Sequence, residues 1–158
     1  MGVQLKLANL LLASLVAVSI SGAASAAGKK PKPSFPADPK EVIAIYNGNT
    51  WTWSKGGSYW GNGGKFEAIW GDAIGIGKWY VTTKGTLCYE AIWYETNGSK
   101  SKPLKRCWEH VKDAEGVYYQ QSTDPKDRKK WGWVKNTKVS KGNGIKSELK
   151  KLKQKAGL

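Results

Sequence analysis

His110 is the only histidine of the chain, and it follows Glu109 directly. An imidazole beside a carboxylate is common material for general acid-base catalysis, and Glu90 supplies a second carboxylate upstream. Placed on one sheet face, Glu90 and Glu109 could serve as the paired carboxylates of a glycoside hydrolase. Two features weigh against that chemistry. In an extended strand Glu109 and His110 point to opposite faces, and the lysines near both glutamates suit ordinary surface ion pairs. No Gly-x-Ser-x-Gly elbow, Walker loop, His-Glu-x-x-His pair or calcium loop occurs in the sequence. The residues therefore favour a non-enzymatic protein that needs no cofactor, with a hydrolase built on Glu90, Glu109 and His110 as the alternative.

Nine tryptophans in 158 residues are the most unusual feature. Exposed indoles make stacking platforms for sugars and other flat ligands, but in a small domain poor in Phe they also serve as core filler. Trp51 and Trp53, Phe66 and Trp70, and Trp79 and Val81 alternate along single strand faces, which reads as core. Trp60, beside the loop Gly61-Asn62-Gly63-Gly64, is the better candidate for ligand contact, followed by Tyr94 and Tyr119, whose neighbours in alternation are the buried ones. The expected partner is a polysaccharide or an anionic surface of the cell envelope.

The elements that must position these residues follow from patterning. Lys6, the apolar run Leu7 to Ile20 and the small residues Ser21 to Ala27 have the three parts of an export signal, with cleavage expected near Ala26. That places the mature protein in the periplasm or outside the cell, with no membrane-spanning segment. The two cysteines of an exported chain then favour a Cys88-Cys107 disulfide; zinc would need two more ligands, and one histidine is on offer. Residues 27-37, rich in Pro and Lys, read as a linker. Asp38-Pro39-Lys40-Glu41 carries a cap, a proline at the first helical position and a capping box, so a short helix is expected to Tyr46, ended by Gly48.

From Thr50 to Val134 short runs of Trp, Tyr, Val, Ile and Thr alternate with glycine-rich turns. Strands are expected at Thr50-Trp53, Ser58-Trp60, Lys65-Trp70, Gly75-Thr82, Thr86-Tyr94, Leu104-Val111, Val117-Gln121 and Trp131-Val134. Such short connections exclude parallel crossovers, so the fold class is mainly β: an antiparallel up-and-down meander forming a small barrel or half-barrel, over one domain at 38-134. A two-residue turn at Asn97-Gly98 makes paired positions sum to 195, as 88 and 107 do. That register puts the cysteines opposite each other, pairs Glu90 with Lys105 and Glu95 with Lys100, and gives Leu87, Tyr89, Ala91, Trp93, Leu104 and Trp108 one core face.

The formal net charge is +14, but between Glu41 and Pro125 basic and acidic residues balance, so binding of nucleic acid by the domain is not expected. The excess lies in the flanks, above all in a basic tail at 135-158. Ile145, Leu149 and Leu152 have helical spacing there, but three apolar residues bury little area, and a solvated disordered end is favoured over an amphipathic helix. A secreted interaction protein acting through this tail is a further alternative.

Ile45-Tyr46-x-Gly48-x-Thr50-Trp51-x-Trp53, Phe66-x-Ala68-x-Trp70, Gly77-x-Trp79-x-Val81, Gly85-x-Leu87-Cys88, Ala91-x-Trp93 and Cys107-Trp108-x-His110 together resemble the exported proteobacterial proteins grouped as domain of unknown function 995. The resemblance spans Glu41 to Val134. It implies a compact β domain in the envelope or outside the cell, and it implies no activity.

Overall fold

A computed structural model describes residues 27-158; the expected export signal at 1-26 lies outside the described residues. Strands β1 (Phe35-Pro36), β2 (Asn49-Trp53), β3 (Gly56-Trp60), β4 (Lys65-Trp70), β5 (Ala73-Val81), β6 (Leu87-Tyr94), β7 (Leu104-Lys112), β8 (Tyr118-Ser122), β9 (Val134-Lys135) and β10 (Val139-Lys141) form one antiparallel sheet. Helices α1 (Pro39-Tyr46), α2 (Pro125-Trp131) and α3 (Lys146-Lys155) complete the chain. The sheet order β10-β2-β3-β4-β5-β6-β7-β8-β9 is an up-and-down meander curled into a half-barrel. Its two edges are spanned by one piece of chain, because β9 pairs with β8 and β10, three residues on, pairs with β2.

Helix α1 forms where its sequence signals place it. Asp38 Oδ1 accepts from the Lys40 amide at 2.8 Å and Glu41 Oε2 from the Asp38 amide at 3.0 Å, which completes the capping box. Lys112 Nζ donates to Glu41 at 2.6 Å and ties the helix to β7, so Glu41 titrates below the ordinary carboxylate range, first through that bond. The Asp124-Pro125-Lys126 tripeptide repeats the same device: Asp124 accepts from the Lys126 amide at 2.9 Å and starts α2. The expected strand at Trp131-Val134 is thereby corrected, since Trp131 is the last residue of a helix.

The β6-β7 pairing keeps the expected register over Leu87-Trp108, Cys88-Cys107, Glu90-Lys105 and Ala91-Leu104, and the disulfide is present. The route to it differs. The Gly98 amide bonds the Glu95 carbonyl at 3.0 Å and the Glu95 amide bonds the Ser99 carbonyl at 2.9 Å, so the loop has three residues, with Gly98 left-handed at φ 85°. Tyr94 then faces Lys100, and Glu95 does not face it as expected. Proline at 103 cannot donate to the ladder, and one extra residue on the β7 side between Lys100 and Leu104 restores the register.

Two apolar layers result. Inside the half-barrel Val42 and Tyr46 of α1 pack with Trp60, Phe66, Trp79, Leu87 and Tyr89. Outside it, Ile145, Leu149 and Leu152 lie on Ile69 and Ile74 of β4 and β5. The expectation of a disordered tail is therefore corrected: residues after Lys135 add a strand and a helix to the domain. Lys153 Nζ donates to Glu67 at 2.7 Å and Lys65 lies 3.2 Å from the same carboxylate. Burial alone would push the Glu67 carboxyl up, but the two lysines outweigh it and hold the group below its usual range. Nor is 27-37 a free linker. The Gly28 amide bonds the Trp131 carbonyl at 2.9 Å, Phe35-Pro36 pairs with β7, and Ala37 is buried.

Two outcomes follow for stability. Reduction or Cys88→Ala opens a loop with a sequence separation of 19, which on the chain-entropy model removes about 3 kcal/mol and should lower the melting temperature by about 10 °C in calorimetry. A chain ending at Lys135 loses β10 and α3 and bares Ile69 and Ile74. Its cooperative transition should disappear or fall by about 10 °C or more, and an unchanged melt would show that the tail is not part of the folded unit.

Candidate functional site

The residues singled out for chemistry are not brought together. His110 points inward and is buried, while Glu109 points outward and accepts from Arg128 Nη2 at 3.1 Å. Glu90, also on the outer face, lies 3.6 Å from Lys105 Nζ and accepts from the Tyr80 hydroxyl at 3.2 Å. These are surface ion pairs, and the trio proposed for hydrolysis is divided between the two sides of a sheet. Glu109 holds α2 to β7.

His110 belongs instead to a buried polar knot at the α1 end of the barrel. Its Nε2 lies 3.0 Å from the Tyr46 hydroxyl and its Nδ1 lies 3.1 Å from the Trp108 carbonyl oxygen. The same hydroxyl donates to Gln120 Oε1 at 2.6 Å and accepts from Asn136 Nδ2 at 3.0 Å. Burial pulls the imidazole down to about 4, and it pushes the Tyr46 phenol far above its ordinary value. The buried ring satisfies polar atoms where α1 and residue 136 close the barrel, and its neighbours Gln120 and Trp108 reach the cavity described below. Stability should be full above pH 6.5 and fall as pH drops toward 4, because the unfolded chain takes up the His110 proton first. His110→Gln should remove up to about 3 kcal/mol of that acid sensitivity, read as the difference between the two pH-stability curves.

The three ligand candidates also occupy separate places. Trp60 is 0 % exposed at the centre of the interior and cannot meet a ligand, which corrects the inference drawn from its neighbouring glycine loop. Tyr94 lies on the outer face, packed beside the α3 layer. Tyr119 is half-buried on the outer face of β8, between Val111 and Lys135.

The two most exposed indoles, Trp70 and Trp131, lie at the end of the barrel opposite α1. Trp51 and Trp53 come from the inner face of β2, Trp70 from the end of β4 and Trp108 from β7, and they line a cavity of about 350 Å³. Trp70 is 47 % exposed and Trp131, across the opening, 54 %. Asp127 and Trp131, four apart on α2, therefore share one helical face and complete the mouth with Ser122. The rings stand at steep angles: Trp51 and Trp53 have centroids 6.2 Å apart at 87°, and Trp51 and Trp108 5.3 Å apart at 83°. Trp53 also approaches Trp93 at 6.3 Å. Trp93 finds room because its cross-strand partner is Gly75, where a Cβ would come within 3.0 Å of the indole.

Helix α2 is fixed at this opening from three sides. Arg128 bonds Glu109, the Ser122 hydroxyl donates to Asp127 Oδ2 at 3.4 Å, and Gly28 bonds the backbone of both Trp131 and Trp133. Sequence reasoning assigned Trp51, Trp53 and Trp70 to the core and gave Trp131 to a strand. The available signal was the second Asp-Pro-Lys, which turns Trp131 onto a helix face beside Asp127.

A family model described as protein of unknown function (DUF995) matches residues 12-156. No curated protein and no solved structure matches the chain.

Proposed function

The chain belongs to the DUF995 family, and we propose that it is a non-enzymatic, exported binding domain whose site is the tryptophan-lined mouth between β2, β4, β7 and α2. The observation that carries this reading is the cavity of about 350 Å³ walled by Trp51, Trp53, Trp70 and Trp108 and flanked by Trp131. That volume lies in the range of small-ligand sites, and a site of apolar walls with a few polar groups is their usual composition. Solvent-facing indoles on a rigid sheet cost little to order on binding, which is the reason aromatic residues dominate recognition surfaces. The separation of Glu90 and Glu109 from His110 supports a binding role over hydrolysis. Export, supported by the leader-like sequence at 1-26 and the disulfide, makes an envelope component such as a cell-surface polysaccharide the natural partner class.

The test is a glycan array and an envelope-polymer pull-down with the wild type, Trp70→Ala and Trp131→Ala. Both residues are about half exposed, so the variants should melt close to the wild type while losing most of the binding, about tenfold or more per ring. Tyr94→Phe and Tyr119→Phe should bind normally. Binding to acidic polymers that survives loss of both indoles would move the contact to the lysines of α3, and this reading would fall.

A further inference from the structure

The ligand class can be narrowed from the charge and ring geometry of the mouth, an argument that rests on the mouth being the binding site. We infer that the group taken up there is an organic cation, an ammonium nitrogen carrying methyl or methylene carbons, and not a neutral sugar ring. A sugar stacks on one flat platform. The steep angles of 87° and 83° between Trp51 and its neighbours Trp53 and Trp108 instead make walls that meet at corners, so a compact group entering them is met from more than one side. A cation gains from every π face within reach, because each ring presents a negative quadrupole.

Asp127 is the second observation. It lines the mouth and accepts from the Ser122 hydroxyl at 3.4 Å, and among the described residues no lysine or arginine is in ion-pair contact with it. In a chain of net charge +14 that separation is informative. Of the four cations on its own helix, Arg128 pairs with Glu109 at 3.1 Å and Lys130 lies over the Trp131 ring of the mouth at 4.7 Å, and none of the four is within ion-pair distance of Asp127. Arg106 shares with Asp127 an adjoining depression of about 520 Å³, but its ion-pair contact is with Asp124, at 3.9 Å. Asp127 is half-buried beside the indoles and attracts a counter-charge that no lysine or arginine places within ion-pair distance. A bound alkylammonium supplies that charge and covers the rings with carbon at the same time. Lys130 already shows that a mouth indole accepts a cation over its face.

Choline and its neutral carbon isostere, in which a tert-butyl group replaces the trimethylammonium, distinguish charge from shape without any mutation. In tryptophan-fluorescence titration and calorimetry of the purified protein, choline should bind about tenfold more tightly than the isostere. Asp127→Asn should erase most of that preference and Trp70→Ala should weaken choline by about tenfold, with melting temperatures unchanged. Phosphatidylcholine vesicles separate a lipid headgroup from the free cation as the source: sedimentation with vesicles, competed by choline, assigns the headgroup, and choline binding without sedimentation assigns a free cation. Equal affinity for choline and isostere, no choline binding, or an Asp127→Asn variant with the full preference overturns the inference. A neutral glycan that binds through Trp70 and Trp131 while choline does not would leave the binding reading standing and remove the cation alone.

Discussion

The Trp60 indole has six aromatic neighbours with ring centroids 5.1 to 6.5 Å away: Tyr46 from α1, Trp51 from β2, Phe66 from β4, Trp79 from β5, Tyr89 from β6 and Trp108 from β7. A chain with 2 phenylalanines and 9 tryptophans has to fill a narrow sheet with large, rigid rings. Such rings pack edge to face, each pair adding about 0.5-1.5 kcal/mol beyond its buried area. One central indole in contact with rings from five strands and the helix therefore sets how tightly the sheet can curl. Gly75, opposite Trp93, is an inner position where a strand gives way to that bulk, and Gly77, opposite Ala91, lets the β5 and β6 backbones approach closely.

The same constraint produces the opening. Around Trp60 the interior is closed, with Phe66 stacked on Tyr89 at 4.2 Å and 9° and α1 covering the end. Toward the other end no comparable plug enters from within. The rings of Trp53, Trp70 and Trp108 are left partly bare, and the part that covers them, α2, is laid across from outside and held by polar contacts. Rigid walls and a polar-anchored cover are consequences of one shortage, that of medium-sized apolar side chains.

Charge is arranged around this body in a way composition hides. Glu67, buried on the outer face, is the anchor for Lys153 and Lys65, so part of the basic tail is neutralised in place. Glu109 does the same for Arg128. The balanced core sequence thus recruits selected cations of the C-terminal segment, and the apolar stripe Ile145, Leu149 and Leu152 seals it to β4 and β5. Three apolar residues looked too few for a helix because their value was judged in isolation. Against an existing apolar face, helix formation follows packing more than propensity.

Local information was legible wherever a residue's neighbours in sequence are also its neighbours in space. The α1 cap, seven of the eight expected strands, their alternation and the Cys88-Cys107 pairing were all readable from spacing, since period two is a property of the extended backbone and a cap is made by side chains two or three residues from the amides they bind. What needed the tertiary structure was which tryptophans remain bare. Trp60 and Trp70 end strands of the same meander, each next to a glycine turn, and nothing local separates them; α1 covers the end of the barrel that Trp60 reaches, whereas Trp70 reaches the other. The union of Asp127 and Trp131 with Trp51, Trp53, Trp70 and Trp108 likewise brings together positions up to 80 residues apart. Alternation dictates a side of the sheet, but only closure of the barrel decides which level along its axis is filled and which is left open.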